Sequence, residues 1–122
     1  MGQIKKQLSF AEIVIQVYKI GEEYCIHISG GEHPHIGCVV LAMPRPSLRN
    51  PSVTSATSSV LNVKGHKDEH ICRQLAEAVA KRKNAVTVCT GGFHMYEMTT
   101  WQIPELMEYI RQLVEEELEC LI

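Results

Sequence analysis

The stretch FAEIVIQVYKIGEEYCIHIS, residues 10–29, constrains the fold more than any other segment. Ile13, Ile15 and Val17 alternate with polar or smaller residues, so they share one side of an extended chain. After Gly21-Glu22 the alternation resumes: Tyr24, Ile26 and Ile28 point one way, Cys25 and His27 the other. Two period-two runs around a glycine turn predict a β-hairpin with one face covered. A chain that opens this way needs a layer to cover that face.

The remaining segments supply the layers. IGCVVLAM (36–43) is apolar on both sides and reads as a central strand. PRPSLRNPS (44–52) contains three prolines and reads as a loop. VTSATSSVLNV (53–63) is a strand whose Ser and Thr residues occupy both faces; it suits a solvated sheet edge, a polar pocket wall or a dimer contact. Residues 68–83 predict a helix, with Asp68 as N-cap, Ile71, Leu75, Ala78 and Val79 on one stripe, and Lys81, Arg82 and Lys83 in the last turn. Asn84 suits a left-handed stop. AVTVCT (85–90) is another buried strand. A last helix over roughly 102–120 has an apolar seam of Ile103, Leu106, Met107, Ile110, Leu113, Val114, Leu118 and Leu121. The expected order is ββββαβα. That is an α+β fold, a mostly antiparallel β-sheet covered on one face by two α-helices, in a single domain spanning residues 1–122.

Composition narrows function. The 122 residues have a net charge of −2, so no basic field attracts nucleic acid. The longest apolar run is far shorter than the ~20 residues of a membrane helix, so no membrane association is expected. Five cysteines, an odd number without a CxxC pair, argue against disulfides and for a reducing compartment, with the cytoplasm expected. No Gly-x-Ser-x-Gly, Gly-x-Gly-x-x-Gly or Walker pattern occurs. No nucleophile–base pair stands out, and no catalytic residue is assigned.

What does stand out is glycine and histidine together, in GGEHPHIG (30–37), KGHKDEH (64–70) and GGFHMYE (91–97). A hairpin turn has no need of two imidazoles. Pro34 holds His33 extended, and an extended His35 would project to the same side. His66, His70 and His94 add further ring nitrogens, and such groups bind a metal or a phosphate, cap backbone groups or simply face water. Whether a metal is bound stays open. Gly65 and Lys67 precede the first helix, an anion-binding position that Asp68 and Glu69 oppose. Arg45 lies between two prolines, rigid enough to read a phosphate yet equally placed to be a solvated charge. His27, in mid-strand, reads as structural, bonded to a sheet neighbour.

Three longer segments, PHIGCVVLAMPRPSL, SATSSVLNVKGHKDEHICRQLAEAVAK and TVCTGGFHMYEMTTWQI, resemble in their order the small prenylated-flavin chaperone family. That family is typified by the D subunit of gallate decarboxylase and is related to the proteasome assembly chaperones. The likeness runs from about residue 30 to 115. It implies a non-catalytic accessory protein that binds or delivers prenylated FMN, or FMN, for a UbiD-like non-oxidative decarboxylase partner. Residue type then suggests the roles. Arg45, Lys67 and the hydroxyls of Ser55, Thr57 and Ser58 would meet phosphate and ribityl groups. His33, His35, His66 and His94 would orient polar groups, the aromatics at 93–101 would face the ring, and Asp68, Gly91 and Gly92 complete the set. A homodimer is expected. The competing readings are an assembly chaperone that binds protein only and a small metalloenzyme built on the histidines.

Overall fold

The computed structural model describes residues 2–33, 35–63, 69–94 and 102–122. Its strands are β1 (Gly2–Gln7), β2 (Glu12–Ile20), β3 (Glu23–Gly31), β4 (Cys38–Pro46), β5 (Thr54–Asn62) and β6 (Thr87–His94). Between β5 and β6 lies α1 (Glu69–Lys83). After β6 come α2 (Gln102–Gln112), a π-helical turn (Leu113–Glu117) and α3 (Leu118–Leu121). The six strands form one sheet in the order β1-β2-β3-β6-β4-β5. Every pair is antiparallel except β3–β6.

The β2–β3 hairpin closes through Gly21, whose φ of +60° at the first of two loop positions gives the backbone twist such turns require. Its alternation is as expected: Ile13, Ile15, Val17, Tyr24, Ile26 and Ile28 are all buried. Val40, Ala42, Cys89 and Phe93 continue that face across β4 and β6. The helices cover it, α1 through Ile71, Cys72, Leu75, Ala76, Val79 and Ala80. Leu106, Tyr109, Ile110, Leu113 and Leu118 complete the core. The opposite face has no covering layer among the described residues: Leu41 and Met43 are exposed there, and Val39, Val88, Cys25 and His27 are half-buried. The one-sided α+β sandwich expected from the sequence is what forms.

Three details differ from or sharpen the expectation. First, β1 is an additional strand, so the order is βββββαβα. Its sequence, GQIKKQ, gives Ile4 as the only large apolar residue, because an edge strand has little to bury. It is held by β2 and by the C-terminal turn: a Cβ on Gly2 would lie 2.6 Å from the Leu121 carbonyl oxygen. Second, the last helix contains a π turn. An unbroken α-helix would follow Ile110 and Leu113 with Glu117 on the buried side. The extra residue of a π turn brings in Leu118 instead, which is 1% exposed. Third, Asn84 does adopt the left-handed conformation, at φ +49°, and the Ala85 N–H donates to the Ala80 carbonyl at 3.3 Å. That six-residue loop-back satisfies a carbonyl at the end of α1. No helix of the described residues is long and apolar enough to cross a membrane.

Tyr109 gives a test of this packing. Its hydroxyl is buried without a hydrogen-bond partner among the described residues. Burial, and then the charge of Glu117, pushes its pKa up to about 12. An unfolded tyrosine titrates near ~10, so between about pH 10 and 12 the unfolded chain loses a proton that the folded chain keeps. Stability therefore falls as pH rises through that window. Tyr109→Phe should flatten this decline and, by removing an unsatisfied polar atom, add about 1 kcal/mol at neutral pH. Denaturant melts of both proteins, near neutrality and in the alkaline window, measure both effects.

Candidate functional site

The site is built where β6 enters between β3 and β4. Parallel pairing sets His27 beside Thr90, Ser29 beside Gly92 and Gly31 beside His94. On the other side of β6, Val39 meets Thr90, Leu41 meets Val88 and Cys38 meets Gly91. The loop before β4 returns over this end: the Gly37 N–H donates to the Gly91 carbonyl at 2.8 Å, and the Val63 N–H donates to Gly37 at 2.8 Å. His35 lies directly over Gly92, where an added Cβ would be 2.7 Å from the imidazole Cε1 and from the His35 carbonyl oxygen. Residues 31–33, 35–37 and 91–94, with the end of β5, therefore meet at one end of the sheet. His66, Lys67 and Asp68 lie outside the described residues, as do residues 95–101.

The uncovered face has three zones along β4. At one end His35 sits on Gly92, and His27 Nδ1 shares a 3.0 Å hydrogen bond with Thr90 Oγ1, with the tautomer deciding which donates. In the middle, Val39, Leu41 and Met43 on β4 and Val88 and Cys25 beside them present apolar or uncharged side chains. At the far end Arg45 donates from Nε to Thr57 Oγ1 at 2.6 Å and from Nη1 to the Pro46 carbonyl at 3.1 Å. Those bonds hold the guanidinium with two of its five N–H donors. Ser55 is paired opposite Arg45 on the same face. From Cys38 to Arg45 is seven residues, or about 23 Å of strand. The predicted residues thus form two groups at opposite ends of one face.

The remaining predicted residues are placed as follows. Ser58 lies on the helix-covered side, where its hydroxyl donates to Glu77 Oε1 at 2.8 Å. Gly91 serves strand packing, since a Cβ there would stand 2.0 Å from the Ile28 carbonyl oxygen. His33 is exposed in the loop after β3, and the backbone of His94 pairs with Gly31. Phe93 corrects an expectation: it is buried on the helix side, 5.9 Å edge-to-face from Phe10, and does not look onto the open face. Sequence reasoning passed over Thr90 and Ser29, and took His27 only as structural. The alternation of residues 23–29 had already placed His27 opposite the buried isoleucines, which is the signal for its face. Among the described residues, no three of His, Cys, Asp and Glu gather as metal ligands.

Residues 8–122 match the family described as the prenylated flavin chaperone LpdD-like domain. The chain belongs to that family. The resemblance read from the three glycine–histidine segments is thereby borne out, and a chaperone domain is a non-catalytic one. No curated protein matches the chain. Among solved structures it is similar to a chain of a chaperone complex for yeast 20S proteasome assembly. The two share 14% identity over 93% of this chain and 91% of that one, with a TM-score of 0.48.

In this LpdD-like domain two adjacent glycines do different work, and substitution separates them. Gly91→Ala forces a methyl group into the β3–β6 backbone and should abolish folding or cost several kcal/mol, as severe overpacking does. Gly92→Ala should leave the sheet formed but lift His35 from it. In NMR spectra of the histidine rings, the His35 signals should move by far more than those of exposed His70. Unchanged His35 signals in folded Gly92→Ala would show that the ring does not rest there.

Proposed function

We propose that this chain carries prenylated FMN, or FMN, on the open face of its sheet and passes it to a UbiD-like decarboxylase in the cytoplasm. Membership of the prenylated flavin chaperone family supports the ligand class. The observation that carries the reading is the order of chemistry along β4, with hydrogen-bonding rings and hydroxyls at one end, an uncharged apolar strip in the middle and a restrained arginine at the other. A flavin nucleotide has the same order: a flat ring with a polar edge, a polyhydroxyl tail and a phosphate. Val39, Leu41, Met43 and Val88 would support the ring, while His27, Thr90 and His35 would meet its polar edge. Ser55, Thr57 and the free N–H groups of Arg45 would hold the tail and phosphate. His94, at the end of β6, and His66, Lys67 and Asp68, outside the described residues, belong to the same proposed set. The prenylated flavin supplies the decarboxylation chemistry once it is in the partner enzyme.

An open face also suits delivery. Enclosed pockets bury 70–90% or more of a small ligand's surface. A sheet face covers one side of a ring and leaves the other in contact with water or with a partner. Transfer to an enclosing enzyme pocket then runs downhill, because the acceptor buries more of the same ligand. The apolar strip excludes water from the side of the ring it supports, and the arginine supplies most of the orientation.

Titration of the chain into FMN or prenylated FMN should quench flavin fluorescence saturably. Arg45→Ala removes a charge-assisted hydrogen bond of about 1.5–3 kcal/mol, so Kd should rise roughly tenfold to a hundredfold. His35→Ala should weaken binding through the other end of the strip. If neither flavin responds and the chain still co-purifies with a decarboxylase subunit, the protein-only chaperone reading replaces this one.

A further inference from the structure

The two edges of the sheet are treated differently. β1 carries Lys5 and Lys6, and the C-terminal turn packs over Gly2. Those are ordinary protections against unwanted strand pairing. β5, at the other edge, has none of them. Its nine residues, TSATSSVLN, contain no charge, no proline and no glycine, and no described strand lies outside it. Val53 and Val63, just beyond its two ends, are 51% and 49% exposed, and Leu61 is 76% exposed. A long, uncharged edge of this kind is a template for another strand.

We infer that β5 pairs antiparallel with β5 of a second copy of this chain, joining two sheets into one. The strand is self-complementary about Ser58. With Ser58 on the two-fold axis, Thr57 faces Ser59, Ala56 faces Val60, Ser55 faces Leu61, Thr54 faces Asn62 and Val53 faces Val63 of the other copy. Small residues oppose larger ones, valine opposes valine, and no like charges meet, as an isologous contact requires. The helices leave room. α1 packs most heavily on β4, one strand in from the edge. The two copies of α1 would therefore stand about 14 Å apart at a strand spacing of ~4.8 Å, wider than a helix diameter of about 10 Å. Because the open faces become continuous, Arg45 and Thr57 of each copy lie near the axis. This contact stands or falls apart from flavin binding.

Light scattering of the full chain across the micromolar range should give twice the 13.7 kDa of one chain. Paired residues on the axis have Cα atoms about 4.5–5.5 Å apart, within disulfide reach. In a Cys120→Ser background, Ser58→Cys should therefore form a covalent dimer under mild oxidation, whereas Gln3→Cys on the β1 edge should not. Val53→Lys with Val63→Lys, positions that face each other across the axis, should make a folded monomer, and so should Val53→Glu with Val63→Glu. An equimolar mixture of the two should dimerise. A monomer at every concentration overturns the inference, as does a dimer that Ser58→Cys fails to cross-link or that both charged variants leave intact.

Discussion

The arrangement depends on one insertion. β6 lies between β3 and β4, parallel to the first and antiparallel to the second. It joins the N-terminal strands to the β4–β5 hairpin, which otherwise share no strand contact in the sheet order. The insertion is tight. Gly91 is held against the Ile28 carbonyl with no room for a methyl group, and a Cβ on Gly30 would lie 2.5 Å from the Glu12 carbonyl oxygen. Parallel pairing also demands a long connection, and β4, β5 and α1 are that connection. The same insertion brings Thr90 to His27 and Gly92 beneath His35. Fold and candidate site are thus set by one backbone contact, and glycine is needed at it for steric reasons before any ligand is considered.

What could be read from the residues divides along burial. The β2–β3 hairpin, α1 and its Asn84 stop were legible because each rests on local pattern: period two, period 3.6, a left-handed terminator. The seam of the last helix was legible too, since Leu113 and Leu118 are both apolar. The π turn between them was not, because a spacing of five is a tertiary solution to keeping Glu117 out of the core. β1 was missed for the opposite reason: only Gly2 and Ile4 are half-buried there, and an edge strand leaves almost no periodic signal.

The site was legible as a set of residue types and much less as a geometry. Sequence placed His35, Gly92 and Arg45 in one group, but a strand of about 23 Å separates the last from the others. Ser58 and Thr57 are neighbours in sequence and look to opposite faces, one toward Glu77 and the other toward Arg45. A run of hydroxyls read as a unit is, on a strand, two half-runs. Phe93 follows the same rule: it is one residue past Gly92, so it falls on the buried side.

The open face has a thermodynamic consequence. Leu41 and Met43 are 41% and 48% exposed on a sheet whose other side is fully covered. Burying them would add favourable transfer free energy at about 25 cal/mol per Å², yet neither α2 nor α3 extends to that side. No formal charge occupies the open-face positions of β3, β6 and β4 between Glu23 and Arg45. A face that only needed solubility would carry Lys and Glu at those positions, as the outer face of the last helix does with Glu108, Arg111 and Glu115. Side chains that are apolar but not enclosed suit a contact that must form and then be broken. That is what the handling of a cofactor on its way to an enzyme requires, and a fully closed core could not provide it.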